Sequence, residues 1–318
     1  MRHRQLVAVL LLTVIALLAP VSATAQTQLR VSWGDPDLQG IWTNETITPF
    51  ERPAEMTGQS VMTAEQAAAI ERRVAERRAV GDKNPRSGVV GSYNQFWMDS
   101  GDSFLGTRQT SLVVDPLDGR VPTRHEAEAT RDDNRAHEGD SYVYMSVWDR
   151  CISRGVPGSM FPAGYNNAYQ ILQTPGYVTI IYEMIHDVRI IPLDERPHVN
   201  PNIRLWMGDS RGRWEGDTLV VETTNYHDRG WIASNAASAR IKGIPTSDEL
   251  NVVERFTRVD DDTIAYEATI TDSLVYTAPW TVSMPLTRDP AYVFFEYACH
   301  EGNRAVENIL SGARVGER

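Results

Sequence analysis

From Ala168 to His300 the chain is a run of short stretches in which apolar and polar residues alternate, each closed by a turn signal. A period of two marks a strand with one buried face, and strands this close in sequence pair with their neighbours as hairpins. Arg204 to Trp231, RLWMGDSRGRWEGDTLVVETTNYHDRGW, shows the pattern most clearly. Gly208, Gly212 and Gly216 mark reversals there, and Asp217 to His227 follows as an extended stretch rich in β-branched residues. Leu219, Val221, Thr223, Asn225 and His227 share one face. It is mostly apolar yet carries polar groups, so it is expected to line something besides a dry core. Tyr169 to Gln173 and Tyr177 to Ile191 flank the hairpin turn Thr174-Pro175-Gly176. Leu250 to Arg258 and Thr263 to Asp272 are joined by Asp260-Asp261-Asp262, and Trp280 to Leu286 and Tyr292 to His300 complete the series.

Successive short antiparallel strands predict an up-and-down barrel or a sandwich. Gly40-Ile41-Trp42 opens the first strand, and this G-x-W resembles the start of lipocalin-type barrels. The expected fold is therefore mainly β: a lipocalin-like up-and-down antiparallel barrel, wide enough in the middle for a small ligand. No repeat of 20 to 50 residues is present, which argues against a propeller. Residues 141–318 are assigned to the barrel domain, and residues 26–140 to an N-terminal extension with the first strand and one helix. Thr63 and Gln66 form a capping-box pattern for that helix, which should run to about Val80 and stop at Gly81. Its Arg72, Arg73, Arg77 and Arg78 read as a solvated face. Tyr93 to Met98, Thr110 to Asp115 and Tyr142 to Trp148 look extended, and Glu126 to His137 reads as a short helix or a loop. A last short helix is expected between Gly302 and Gly312.

Residues 1–25 have the pattern of a secretory signal peptide. Arg2 and Arg4 precede the apolar run Leu6 to Ala19, and Ala23-Thr24-Ala25 is an A-x-A cleavage site. The run is shorter than the roughly 20 residues a membrane span needs, and no other stretch reaches that length. The mature chain is thus expected to be exported, periplasmic or secreted, with no membrane span. The formal net charge of −11 repels phosphate backbones, so no nucleic-acid partner is expected. Cys151 and Cys299 are the two cysteines, and in an oxidising compartment such a pair predicts a disulfide.

The segments PDLQGIW, CISRGVPGSMFPAGYNN, RWEGDTLVVETTNY, VVERFTRVD and EYACHEGN resemble those of a large group of exported bacterial proteins of unassigned function. The resemblance spans most of the mature chain and carries over no activity, cofactor or catalytic residue.

Polar groups on otherwise apolar strand faces are the candidates for function, because burying them costs free energy unless a partner or a task accounts for them. On Tyr177 to Ile191, Val178, Ile180, Tyr182, Met184, His186, Val188 and Ile190 share the apolar face, and His186 stands out. The opposite face, with Glu183, Asp187 and Arg189, reads as a solvated surface. On Leu250 to Arg258 the apolar face carries Glu254. His186 and Glu254 facing one cavity would make an acid–base pair, since desolvation moves both towards neutrality. Tyr182, Asn225, His227, Tyr266 and Trp280 are the expected wall. The loop from Cys151 to Asn167, rich in Gly, Pro and Asn, is expected to act as a lid through Phe161 and Tyr165. No metal-ligand spacing, G-x-S-x-G elbow or phosphate loop is present, so no metal site and no cofactor is expected. The reading that follows is an exported barrel binding a small apolar or amphipathic molecule. The alternative is a cofactor-free lyase, isomerase or hydrolase using His186 and Glu254.

Overall fold

The computed structural model describes residues 29–83 and 98–317. The signal-peptide reading and most of the extended stretch expected at Tyr93 to Met98 lie outside those residues. In chain order the elements are β1 (Gly40–Thr43), α1 (Ala64–Lys83), β2 (Val113–Asp115), α2 (His125–Ala136), β3 (Ala168–Thr174) and β4 (Tyr177–Tyr182). They continue with β5 (Val188–Pro192), β6 (Asp209–Glu215), β7 (Thr218–Thr224), β8 (Asn251–Arg258), β9 (Thr263–Thr271), β10 (Trp280–Arg288) and α3 (Ala305–Ala313).

The strands pair antiparallel in the order β5-β4-β3-β1-β10-β9-β8-β7-β6, with β2 added beside β10. Apart from β2, each strand lies next to its neighbour in sequence, and β1 joins β10 to bring the two ends of the meander together. The protein is therefore mainly β, an up-and-down antiparallel barrel that is nearly closed. β5 and β6 lie side by side without a hydrogen-bonded ladder. Side chains hold that seam instead. Gly212 sits in the middle of β6 rather than at a reversal, and a Cβ there would lie 2.8 Å from both Ile191 Cγ2 and Leu193 Cδ2. Its bareness lets the two strands approach.

Alternation places one face of every strand inside. Val252, Glu254 and Phe256 of β8, Ile264, Tyr266, Ala268 and Ile270 of β9, and Trp280, Val282, Met284 and Leu286 of β10 are all buried. They belong to one contiguous core with Trp42, Tyr182 and the apolar residues of the extension. Trp42 marks one end. Its indole donates to Leu38 O at 3.0 Å, and the Arg258 guanidinium lies 5.6 Å from its ring. Arg258 also donates to the carbonyls of Asp37 at 2.6 Å, Asp260 at 2.9 Å and Asp261 at 2.8 Å, which closes this end with a planar fork.

The other end is filled by the segment from Cys151 to Asn167. This corrects the lid expectation. Met160 and Phe161 are fully buried, and Phe161 packs edge-on against Phe50 at 4.8 Å with Trp280 at 6.5 Å. A Gly- and Pro-rich segment with large apolar side chains gains more by seating them in the open barrel end than by leaving them over it. Gly158 makes this possible, since a Cβ there would lie 2.9 Å from Ile232 O.

The capping box at α1 forms as expected: Gln66 N donates to Thr63 Oγ1 at 3.2 Å and Thr63 N to Gln66 Oε1 at 2.9 Å. The helix nevertheless runs past Gly81 to Lys83. Its Ala67 packs on Met62 and Phe104 in a small separate cluster. Two expected strands are absent. Tyr142 to Trp148 forms a 3-10 turn at Tyr142–Tyr144, and Tyr292 to His300 makes no ladder. Both stretches alternate, yet neither pairs with a strand of the sheet. Among the described residues no helix is long and apolar enough to cross a membrane.

Candidate functional site

Tyr177 to Ile191 is a hairpin, not one strand. β4 ends at Tyr182, whose N–H donates to Asp187 O at 2.9 Å, and Glu183 to His186 form the connection. Ile185 and His186 both have left-handed backbone, at φ 65° and φ 48°. Neither residue type advertises that conformation, so the reversal is hidden from alternation. Its consequence is a change of facing. His186, expected inside with Glu254, is exposed, and its Nδ1 lies 3.0 Å from Tyr297 O. Arg189 and Glu183, expected on a solvated face, are buried.

The buried residues converge on one polar cluster inside the barrel. Arg189 from β5 and Glu254 from β8 form an ion pair at 2.5 Å, with side-chain exposures of 3% and 0%. Arg189 Nε donates to Ser210 Oγ of β6 at 2.8 Å, and its Nη2 also donates to Thr223 Oγ1 of β7 at 2.7 Å. Tyr266 of β9 donates to Glu254 Oε1 at 3.0 Å. Five consecutive strands thus each supply one group. Burial works against the guanidinium's charge, but Glu254 and then Tyr182 outweigh it and hold the Arg189 pKa above its usual range.

Three polar atoms in and around this cluster have no hydrogen-bond partner: Arg189 Nη1, Tyr182 Oη and Tyr226 Oη. Each belongs to a buried residue; Tyr182 Oη lies beside Arg189 and Tyr226 Oη beside Thr223 without well-formed hydrogen-bond geometry, and both phenols interact electrostatically with Arg189 and Glu254. Burial pushes the Tyr182 phenol up to about 12, and Tyr226 and Tyr266 well above their ordinary value. All three are therefore neutral hydroxyls at physiological pH.

Tyr226 owes its place to Asn225, which ends β7 with a left-handed φ of 58°. The Asn225 amide donates to the carbonyls of Val199, Asn200 and Ile203 at 3.1–3.2 Å. Asn225 was expected on the ligand wall; its side chain is occupied in folding the 199–203 segment. His227 stacks on Trp206 with ring centres 4.4 Å apart, and its Nδ1 lies 3.1 Å from Asp228 Oδ1. That stack borders a cleft of about 10 Å³, room for one water, whose floor includes Tyr226 and whose rim includes Trp231.

The remaining expected residues are distributed as follows. Tyr182 and Tyr266 are in the cluster. Trp280 is in the core, edge-on to Tyr276 at 5.5 Å. Phe161 is in the plug, and Tyr165 is partly exposed beside Trp148 and Tyr297, with ring centres 6.3 Å from each. Cys151 and Cys299 form the expected disulfide. Arg189, Ser210, Thr223 and Tyr226 were missed. Only Thr223 had a signal, as a polar residue on the apolar face of its strand. Arg154 was missed too: it is 3% exposed, its Nε has no partner, and burial lowers its pKa. Among the described residues no three His, Cys, Asp or Glu side chains are grouped to hold a metal ion.

No family model matches the chain, and no curated protein matches it. Among solved structures, the chain is similar to a crystal structure of a variant of the fluorescent protein UnaG. The identity is 14%, over 38% of this chain and 70% of that one, with a TM-score of 0.22.

Proposed function

We propose that this protein binds a small amphipathic molecule, with a neutral polar group of the ligand seated on the Arg189–Glu254 cluster. The observation that carries the reading is the set of three unpartnered polar atoms, Arg189 Nη1, Tyr182 Oη and Tyr226 Oη, inside the barrel. Leaving such groups unsatisfied costs about 1–3 kcal/mol each, so a retained set calls for a partner. The partner is uncharged because Arg189 and Glu254 already balance one another, and a further buried charge would be uncompensated. A hydroxyl, carbonyl or amide meets two phenols and one guanidinium N–H. The apolar remainder of the molecule suits the aromatic residues around the cluster.

The acid–base alternative has lost one member, since His186 is outside the barrel. The disulfide supports an exported protein, because such bonds persist in oxidising compartments, and kinship with the exported group belongs to the same reading. Mass spectrometry of solvent extracts tests the binding. Protein purified from its native host should carry a stoichiometric molecule with a neutral polar group, and the Tyr182→Phe/Tyr226→Phe double variant, still folded, should lose it. Wild-type protein that carries nothing, or a variant that retains the molecule, would count against the site.

A further inference from the structure

A second recess lies on the outside of the same barrel end. It encloses about 320 Å³, within the range of small-molecule sites, and is lined by Thr130 of α2, Tyr142, Val143, Arg150, Arg229 and Trp231 among others. We propose that this groove is a separate binding site for a small organic anion with a flat apolar body, such as an aromatic carboxylate. Two arginines face one recess on a protein whose net charge is −11. Among the described residues neither Arg150 nor Arg229 forms an ion pair with any carboxylate. The one other bond made by the Arg150 head group is a 3.4 Å contact from Nε to Ser146 O. The two guanidinium groups repel one another, and Arg150 is partly desolvated as well: burial lowers its pKa most, Arg229 lowers it further, and Tyr142 and Asp149 only partly oppose this. An anion between them relieves both costs.

Of the carboxylates around the groove, two have other partners, while Glu307 lines its continuation beside Arg304. Asp228, which lines it, lies against His227, and Asp149 accepts from Ser146 Oγ at 2.5 Å. Thr130 and Asn134 add two polar groups, and the rest of the wall is apolar or aromatic. Trp231 is half-buried, and Tyr142 and Val143 are each 56% exposed, a flat surface on which a ring lies well. The recess continues past Tyr142 and Arg150 to Arg304, at the start of α3. The disulfide sets this third arginine in place. It joins Cys151, next to Arg150, to Cys299, and Asn303 Nδ2 then reaches Cys151 Sγ at 2.6 Å. The groove meets the cleft over Tyr226 along Gly230 and Trp231, so Trp231 is shared and the two arginines belong to the groove alone.

Calorimetric titration of the full-length mature protein with benzoate tests this, with benzamide as the neutral isostere and sulfate as a bare anion. Benzoate should bind and weaken with salt, while benzamide and sulfate should each bind at least about tenfold more weakly. Arg229→Gln and Arg150→Gln should each lower benzoate affinity about tenfold or more, and Trp231→Leu should lower it while leaving the salt dependence in place. Tyr182→Phe/Tyr226→Phe should leave it unchanged, which separates this site from the interior one. Arg229 is exposed, so its replacement leaves the fold intact. Failure of benzoate to saturate at millimolar concentration would overturn the proposal. So would equal binding of benzamide or sulfate, or affinity indifferent to both arginine replacements.

Discussion

Arg189 and Glu254 meet at 2.5 Å across the barrel, from strands that are not neighbours in the sheet, and neither side chain has appreciable contact with water. The pair ties the open seam at β5 to the well-paired half of the meander, because Arg189 also bonds Ser210 and Thr223 on the way. Breaking one partner strands the other's charge in the interior. Glu254→Gln and Arg189→Met should each destabilise the protein by about 3–5 kcal/mol in urea unfolding. The double variant should lose much less than the two together, because no lone charge remains. Additive losses would show that the two do not act as a pair.

The unpartnered phenols make an opposite prediction. Tyr182 and Tyr226 each bury a hydroxyl without a well-formed hydrogen bond, Tyr182 beside Arg189 and Tyr226 beside Thr223. Removing that oxygen leaves the ring's packing intact and deletes an unsatisfied group. In protein stripped of ligand, Tyr182→Phe and Tyr226→Phe should therefore be neutral or stabilising by about 1 kcal/mol. Tyr266→Phe is the control. Its hydroxyl donates to Glu254, so the same change should destabilise by about 1.5–3 kcal/mol. Thermal unfolding of the three variants side by side distinguishes these outcomes. A loss of equal size in all three would mean that the first two hydroxyls are bonded.

The contrast between Arg189 and Glu254 also shows what alternation can and cannot reveal. Glu254 lies on β8, an unbroken strand, and its inward facing follows from counting by twos along Leu250 to Arg258. The same counting places Thr223, Tyr266 and Trp280 inside, and the pairings β3-β4 and β8-β9 follow from hairpin spacing. Arg189 lies beyond a reversal built from Ile185 and His186 in left-handed backbone, which no Gly, Asn or Pro announces. Past that point every facing assignment is inverted, so a histidine was placed in the interior and an arginine on the surface. Tyr226 was hidden similarly, behind the left-handed Asn225. Tyr292 to His300 failed for another reason. Its pattern suits a strand, but β1 already occupies the edge of β10, the strand that precedes it in sequence. The segment instead brings Tyr292 and Phe295 N to Glu183, at 2.6 and 3.1 Å.

Glu183 gives a pH signature. Burial raises its carboxyl pKa, and the bonds from Tyr292 and Phe295 only partly oppose this. A carboxyl whose folded pKa lies above its unfolded value binds more protons in the folded state between the two. Its contribution to stability is therefore greatest at low pH and falls as pH rises through that window, which begins near the ordinary value of about 4.3. Asp99 shifts in the same direction, again through burial first. Glu183→Gln removes the Glu183 contribution. The stability of wild type relative to this variant, from urea midpoints at pH 4 and pH 7, should be larger at pH 4. A difference that grows towards pH 7 would mean that the native site favours the ionised form.

The disulfide is the last element with a measurable consequence. Cys151 and Cys299 are 148 residues apart in sequence, and between them lie all the barrel strands except β1 and β2. Intact-mass analysis without reductant should show no alkylatable thiol in the native protein. The Cys151→Ser/Cys299→Ser variant should lose up to about 5 kcal/mol in the chain-entropy model, since so long a loop is freed in the unfolded chain. The folded state should change locally. Tyr292 to Glu301 has no ladder of its own, and α3 has no buried residue, so both depend on this tether for their position. Hydrogen exchange should rise in that C-terminal segment of the variant while β7 to β10 keep their protection. Because Arg304 sits beyond the tether, benzoate affinity should fall as well, though by less than on loss of Arg229. Unchanged exchange after residue 290 would show that the segment holds its place without the covalent link, through Glu183 and its two bonds.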